Sequence, residues 1–245
     1  MTKKFEIKKH DGPGRLTKKH NQLTPYAINL NNYQVAKDTP TAYNVEREIA
    51  EYGVRKTLEQ AEKENDAEIA VIHGSKYIDL RCQCAKKLEE LGYESLIIAN
   101  SDDLLLHPED LIELIIKLRE TIQTTTYLIF PFAEPSFIPL LTYLGIDAFN
   151  IETADYYSTL NVLMTPTKNY DLEVYKIYNF TPNGLKEYNR NSINLVLREV
   201  REHMKNNSLR NLVEERAVTS PQNTSALRIL DKRYSDYLLK YTQLY

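Results

Sequence analysis

Short apolar segments alternate with segments of helical periodicity along the middle of this chain, and this alternation constrains the fold most. The apolar runs have strand length and span 67–72, 95–99, 126–130 and 147–150. The intervening helices are predicted over about 45–64, 78–91, 108–122 and 136–144. Strands that alternate with helices form parallel sheets. With a further strand ending near Asn29, the pattern predicts an α/β fold with about five parallel strands.

Individual residues mark the ends and the buried faces of these helices. Gly92 and Gly145 are placed to end helices, and Pro108 is placed to begin one. Helical spacing predicts buried faces made of Leu111, Leu114, Ile115, Leu118 and Ile122 in one helix and of Val45, Ile49, Tyr52 and Leu58 in another.

The flanking segments differ in character from this middle part. Residues 1–30 are expected to be extended, with turn residues at 11–14, and residues 155–185 are rich in tyrosine and predicted to be irregular. The last 65 residues show helical stripes, one of them Ile193, Val196, Leu197, Val200 and Met204, the other running from Leu227 to Tyr241. We therefore predict a β/α domain over 1–185 and a helical segment over 186–245.

Glycine is scarce, and its scarcity excludes several nucleotide-binding loops. The chain of 245 residues has 7 glycines. This is about half of the glycine fraction in average proteins, which is roughly 7 %. None is placed to build a Rossmann fingerprint, a Walker loop or a kinase glycine-rich loop.

The charge of −3 gives no basic field over the whole chain. Residues 186–240 nevertheless carry 11 Lys and Arg against 7 Asp and Glu. This segment is the candidate contact for an anionic partner, although ordinary solvated helix faces would give the same count. An apolar leader and an apolar run of membrane-spanning length are absent, so we expect a cytoplasmic location and no membrane contact.

Metal and nucleophile chemistry find little support in the sequence. Cys82 and Cys84 have no second cysteine pair, and the five histidines are scattered. The chemistry of parallel α/β folds lies at the carboxyl ends of the strands. Here those ends supply polar side chains suited to hydrogen-bonding a ligand, while loop caps and satisfied turns explain them equally well. The candidate ligand-binding residues are His73, Gly74, Asn100, Asp102, Glu134 and Asn150; no catalytic residue, metal or cofactor is predicted.

Several of these segments, taken in order, resemble archaeal tRNA-guanine transglycosylases. Each motif is weak alone, but together they run nearly end to end. The matching segments are Phe5–Lys8 with Gly14–Leu16, Val71–Ser75 with Asp79–Arg81, Leu91–Tyr93 with Ile98–Asn100, Phe130 with Leu144–Asn150, and Leu209–Pro221 with Tyr234–Leu238. The resemblance implies a TIM-barrel-like β/α domain that begins with a β-hairpin.

The departures from this family bear on activity. Asn150 stands where the family has its nucleophilic aspartate, and a carboxamide cannot attack the ribose as a carboxylate does. His73 replaces the base-binding glutamine, and Ser75, Ala99 and Asn100 stand where the family keeps glycine. The family's zinc-binding cysteines are absent between Met164 and Tyr188, and its partner histidine falls near Tyr188 and Asn189.

Length points the same way. Only about 40 residues separate the first two strands, and one βαβ unit takes roughly 30 or more, so the barrel is predicted to be incomplete. Transglycosylation is predicted to be lost.

Among these proteins the chain is most similar to the transglycosylase-like N-terminal part of archaeosine synthases. That resemblance implies a transferase-type subunit in archaeosine biosynthesis, a tRNA-processing function of archaea. Its ligand would be a 7-deazaguanine base or nucleoside, 7-cyano-7-deazaguanine in the tRNA D-loop, and a protein partner would add lysine and hold most of the tRNA. The alternatives are a non-catalytic scaffold that pairs with an active transglycosylase, an active transglycosylase, and an α/β protein for an unrelated ligand.

Overall fold

The computed structural model describes residues 5–19, 22–64, 66–132 and 134–240, which fall into two compact units. The middle unit comprises the described residues of 30–131, and the terminal unit comprises those of 1–29 and 132–245. The division predicted after residue 185 stays a prediction.

The strands of the described residues are short. They are β1 Glu6–Asp11, β2 Gly14–Lys19, β3 Gln22–Leu23, β4 Tyr26–Ile28, β5 Ala70–Ile72, β6 Ser95–Ile98, β7 Tyr127–Phe130, β8 Ala148–Asn150, β9 Val162–Met164 and β10 Asn169–Asp171.

The helices of the same residues differ in length, and the longest has 24 residues. They are α1 Arg47–Ala61, α2 Ile78–Glu90, α3 Ser101–Leu106, α4 Pro108–Thr121, α5 Ile138–Leu144, α6 Thr153–Thr159, α7 Pro182–Lys205, α8 Leu209–Ala217, α9 Pro221–Arg233 and α10 Ser235–Leu239, with a 3₁₀ turn at Leu30–Asn32.

The middle unit is built on the parallel strands β5, β6 and β7, in the order β7-β6-β5. Most of their side chains are buried, as expected for parallel strands covered by helices on both faces. In the terminal unit β4 pairs in parallel with β8. The described residues thus contain the five parallel strands that the alternation predicts, and the α/β fold is confirmed.

The helix ends and the α4 face are also confirmed. α4 begins at Pro108, and its predicted core residues Leu111, Leu114, Ile115, Leu118 and the following Ile122 are buried. Gly145 ends α5 in the left-handed conformation, at φ +111°. α3 was not predicted, because six residues are too few to show helical periodicity.

The predicted core face of α1 is wrong. Ile49 and Tyr52 are about half exposed, and the helix instead buries Ala50, Gly53, Val54, Thr57 and Ala61. A Cβ on Gly53 would lie 2.6 Å from Cγ2 of Thr41. Small residues let the helix approach the preceding segment closely, so the side that packs is not the most hydrophobic one.

The terminal unit opens with the hairpin of β1 and β2, extended by β3. Gly12 makes the hairpin turn at φ +59°, where a Cβ would meet the ring of Tyr143 at 2.4 Å. The buried Arg15 guanidinium donates two hydrogen bonds of 2.8 Å to the buried carboxylate of Asp147. This ion pair ties the hairpin to the residue that precedes β8.

The prediction that residues 155–185 are irregular is wrong in part. α6 extends to Thr159, and β9 and β10 form an antiparallel hairpin. The buried side chain of Asn189 on α7 accepts a 2.8 Å hydrogen bond from the Met164 N–H and donates one of 2.9 Å to the Val162 carbonyl. The outer edge of β9 is therefore satisfied by a residue about 25 positions away, which local sequence does not reveal.

The helical C-terminal part is confirmed for α7 to α10. The predicted stripe of α7 is buried, as are Leu227 and Leu230 on α9 and Tyr237 on α10. Tyr241 of the second predicted stripe lies outside the described residues. Across the described part of the chain, every helix is too short or too polar to cross a membrane.

Candidate functional site

His73 follows β5 at the carboxyl end of the strand, and its ring is buried. Nε2 lies 2.5 Å from Oδ2 of Asp38. Nδ1 is buried and has no hydrogen-bond partner among the residues that the structure describes. With Nε2–H directed at the carboxylate, a neutral ring would present Nδ1 as an acceptor. Asp38, in the loop before α1, was not predicted, because a lone loop aspartate carries no sequence signal.

Two residues that follow strands β5 and β6 have a backbone conformation that favours glycine. Ser75 has φ +52° and Asn100 has φ +54°, both in the left-handed region. Non-glycine residues adopt this region at a cost. These are two of the three positions at which the resemblance places glycine in the family. The side chains have changed there, while the backbone keeps the turn.

The three residues at the positions where the resemblance places glycine surround a buried arginine. The Arg81 guanidinium donates hydrogen bonds to the Ser75 carbonyl at 2.6 Å, to the Ala99 carbonyl at 2.9 Å and to Oδ1 of Asn100 at 3.0 Å. Asn100 in turn donates from Nδ2 to the Thr41 carbonyl at 3.0 Å. We call Thr41, Ser75, Arg81 and Asn100 the Arg81 network.

Thr41 links the two strand ends of the network, because it contacts both Ser75 and Asn100. The Ser75 and Thr41 hydroxyls lie 3.0 Å apart within hydrogen-bond distance. Burial lowers the pKa of Arg81 to about 10, so the group still carries its charge at neutral pH. A buried cation needs a full set of acceptors, and the ends of β5 and β6 supply them.

Asp79 and Arg81, both in the first turns of α2, do not pair with each other. Asp79 is exposed and pairs with Arg47, whose hydrogen bond lowers the pKa of the Asp79 carboxyl. Arg81 points the other way, into the unit. Residues two positions apart lie on different faces of a helix, so the two side chains point in different directions.

Gly74 and Asp102 differ in their surroundings. A Cβ on Gly74 would lie 2.7 Å from the backbone nitrogen of Arg81, and the residue has φ +147°. Gly74 thus lets α2 start directly against the end of β5. Asp102 is exposed in the first turn of α3. The middle unit therefore brings Gly74 and Asn100 to Arg81 and leaves Asp102 toward solvent.

In the terminal unit, Glu134 lies in an aromatic cluster. Its Oε1 accepts a 2.5 Å hydrogen bond from the Tyr157 hydroxyl. The ring of Phe132 meets those of Tyr156 and Tyr157 edge-on, with centroids 5.9 and 5.5 Å away. Burial raises the pKa of the Glu134 carboxyl, and the Tyr157 hydrogen bond opposes that rise. We call Phe132, Glu134, Tyr156 and Tyr157 the Glu134 cluster.

Asn150 ends β8 and is half-buried. Its Oδ1 accepts a hydrogen bond from the Glu152 N–H at 3.3 Å, and its carbonyl accepts one from the Thr153 hydroxyl at 3.0 Å. The side chain thus supports the turn into α6, the same helix that carries Tyr157. Asn150 and Glu134 both adjoin α6, and Tyr157, which joins Glu134 to this helix, was not predicted.

The family's zinc site does not fit the residues present here. Within the described ranges, His, Cys, Asp and Glu side chains form no cluster of three or more that could hold a metal. Cys82 and Cys84 lie on α2, and burial raises the pKa of Cys84 to about 11, whereas zinc binds the thiolate. At the position near which the partner histidine falls, Asn189 joins α7 to β9 by hydrogen bonds.

A groove also lies between α1 and α2 in the middle unit, with a volume of about 650 Å³. Apolar Val54, Leu58 and Leu80 contribute to its lining together with charged residues. None of the six predicted ligand-binding residues lines it.

Comparison with known proteins gives one family. The family model described as queuine tRNA-ribosyltransferase matches residues 32–184. An archaeosine synthase of Methanocaldococcus jannaschii is 30 % identical over 159 residues, which are 65 % of this chain and 26 % of that protein. A tRNA-guanine(15) transglycosylase of Thermococcus onnurineus is 28 % identical over 230 residues, which are 83 % and 40 % of the two chains.

A third relative, archaeosine synthase subunit alpha of Thermococcus kodakarensis, is 24 % identical over 266 residues, covering 98 % of this chain and 43 % of that protein. The chain thus spans between a quarter and somewhat under half of the length of these relatives. Because the family model covers well over half of the chain, and the parallel β/α fold agrees with it, the chain belongs to the queuine tRNA-ribosyltransferase family.

Proposed function

We propose that this chain is the transglycosylase-like subunit of an archaeosine synthase. It would recognise 7-cyano-7-deazaguanine in the D-loop of tRNA, while a partner subunit transfers lysine to that base. The proposal is supported by the relatives named archaeosine synthase and archaeosine synthase subunit alpha, the second of which matches 98 % of this chain. We further propose that the protein acts in the cytoplasm.

The observation that carries the proposal is Asn150. It stands where the resemblance places the family's nucleophile, and its carboxamide oxygen accepts a hydrogen bond from the Glu152 N–H. A neutral amide cannot form the covalent ribose intermediate that transglycosylation needs. A family member without a nucleophile is suited to a reaction in which the base stays attached to the tRNA.

The Glu134 cluster is the part of the candidate site that we propose to contact the base. A deazaguanine presents N1–H and an amino group as donors on one edge, and a carboxylate accepts both. Tyr156, whose ring is exposed, offers a flat surface for a heteroaromatic ring. His73, Gly74, Asn100, Asp102 and Asn150 remain proposed ligand-binding residues; of these, Gly74 and Asn100 adjoin Arg81, which shapes the strand ends.

The test is reconstitution with the native partner. The tagged chain is purified from its own organism, co-purifying proteins are identified by mass spectrometry, and the complex is incubated with radiolabelled lysine and tRNA that carries 7-cyano-7-deazaguanine. We expect label in the tRNA only when both subunits are present, and no exchange of labelled guanine by the chain alone.

Three results would argue against this assignment. Guanine exchange by the chain alone would identify an active transglycosylase. Co-purification of an active transglycosylase, without lysine transfer, would identify a scaffold subunit. Lysine transfer by the partner alone at the full rate would leave this chain no role in the reaction.

A further inference from the structure

The basic surplus of residues 186–240 is not spread evenly once the side chains are placed. Lys186 and Arg190 pair with Asp155, Arg210 with Asp231, and Arg216 with Glu199. These contacts neutralise much of the charge that the sequence shows. An anionic partner would therefore meet the cations that remain.

Arg228 and Lys232 remain on the exposed side of α9. They are four positions apart, so they lie on one face of the helix. Both are exposed, and neither forms an ion pair with a carboxylate of the described residues. Asp231, the acidic neighbour of Lys232, is held by Arg210 through hydrogen bonds of 2.6 and 2.8 Å.

This face borders a groove of about 610 Å³, between the α8–α9 turn and α9. We call it the α9 groove. Three basic side chains and four hydroxyl side chains line it, and acidic side chains are absent from the lining that the structure describes. Val218, at the turn, is 82 % exposed and adds an apolar surface at one end.

We propose that the α9 groove binds the phosphate backbone of RNA. The Thr219 and Thr224 hydroxyls donate to the carbonyls of Arg216 and Ala217, so the donors left for a ligand are the paired cations and the Ser220 and Ser225 hydroxyls. Without an acidic rim in the described lining, these groups match successive phosphates, and an exposed valine can contact a ribose. The chemistry follows from the groove itself; only the choice of tRNA as the RNA rests on the proposed function. Contacts from cations to phosphates carry no base readout, so binding should depend on salt and little on sequence.

The experiment measures binding of a fluorescent tRNA transcript to the purified chain by anisotropy, between about 50 and 200 mM KCl. Each phosphate contact contributes about one unit to the slope of log K against log salt. The variant R228Q/K232Q should lower that slope by about two and raise Kd several-fold. The charge-conserving variant R228K/K232R should keep the slope.

The control K87Q/K117Q removes the same charge from two exposed lysines that pair with Glu90 and Glu120. It should leave slope and Kd unchanged. A slope unchanged in R228Q/K232Q, or lowered equally by the control, would overturn the proposal. Full displacement of the tRNA by inorganic phosphate at constant ionic strength would also overturn it, because the groove would then be a site for the free anion.

Thermal melting of the variants shows whether they fold, and exposed side chains without partners predict unchanged melting. The lysine-transfer assay separates the two proposals. If lysine transfer fails while R228Q/K232Q lowers the salt slope as expected, the result supports RNA binding by the α9 groove and contradicts the proposed function. If lysine transfer succeeds and the variant binds tRNA like the natural chain, the groove falls alone.

Discussion

Arg81 and Asn100 are joined by a 3.0 Å hydrogen bond from the guanidinium to Oδ1 of the amide, and Asn100 holds a left-handed backbone to make it. The family resemblance leads one to expect glycine at position 100, where this chain has Asn100. At position 81 the chain has the arginine that the resemblance leads one to expect. A residue that breaks the pattern thus completes the surroundings of one that keeps it. The ends of β5 and β6 are held by side chains where the resemblance implies bare backbone.

Replacing Arg81 should be costly. Arg81→Met leaves two carbonyls and the Asn100 amide oxygen without their donor, and we expect a loss of about 3 kcal/mol or more in the free energy of unfolding. Urea denaturation followed by circular dichroism measures it. Arg47→Met removes an exposed arginine paired with Glu51 and Asp79, and it should cost much less because exposed ion pairs add little stability. Equal losses in the two variants would contradict the role given to Arg81.

The left-handed positions predict a difference between alanine and glycine. Both Asn100→Ala and Asn100→Gly lose the amide, but only alanine pays for the positive φ, so the glycine variant should be more stable by about 1–2 kcal/mol. Ser75 should behave the same way. At Ala99, outside the left-handed region, glycine should instead be the less stable residue by about 0.5–1 kcal/mol. The same sign at all three positions would contradict the backbone assignment.

Asn189 should stabilise the β9–β10 hairpin without metal. Asn189→Ala leaves the Met164 N–H and the Val162 carbonyl without partners, at an expected cost of about 2–4 kcal/mol. A chelator should leave the melting temperature of the natural chain unchanged. Melting that falls on addition of the chelator, and recovers with zinc, would show that a metal holds this region instead.

The Arg15–Asp147 pair should show strong coupling in a double-mutant cycle. Either Arg15→Met or Asp147→Asn strands a buried partner and should cost about 3–5 kcal/mol, while the double variant should cost less than the sum. Chemical denaturation of the four proteins provides the cycle. Additive losses would mean that the two groups do not interact.

Glu134 predicts a pH dependence of known sign. Burial raises the pKa of its carboxyl in the folded protein, so the charged form lowers stability above that pKa, and the penalty disappears as the pH falls toward the ordinary value. Glu134→Gln should therefore stabilise the protein at pH 7 and lose this advantage in acid. The exposed Asp79, whose pKa is lowered by its Arg47 hydrogen bond, should act oppositely, with Asp79→Asn destabilising at pH 7 and less so in acid. A pH-independent difference for Glu134→Gln would contradict the raised pKa.

Much of the fold could be read from local pattern. Apolar runs place β5 to β8, Pro108 and Gly145 mark helix ends, and the α4 stripe is buried as its spacing predicts. The failures come from contacts between distant segments. α1 packs by its small residues because Gly53 meets Thr41, and β9 forms where Asn189 satisfies its backbone.

The candidate site divides in the same way. The residue types at the strand ends, and the departures at His73, Ser75, Asn100 and Asn150, are visible in the sequence. Their partners are not, because Asp38, Thr41 and Tyr157 are ordinary loop or helix residues until the chain brings them close.

By itself, the sequence predicted the alternation of strands and helices in the middle of the chain, the family resemblance, and the replacement of the family's nucleophile by Asn150 that this resemblance implies. Periodicity and residue chemistry are local properties, so they survive without coordinates. Only the tertiary structure decided which charged side chains are exposed to a binding partner and which are buried or paired within the chain. Arg81 is held at the strand ends and Arg228 is exposed on α9, although both are arginines on amphipathic helices, because burial and partners depend on segments far apart in the chain.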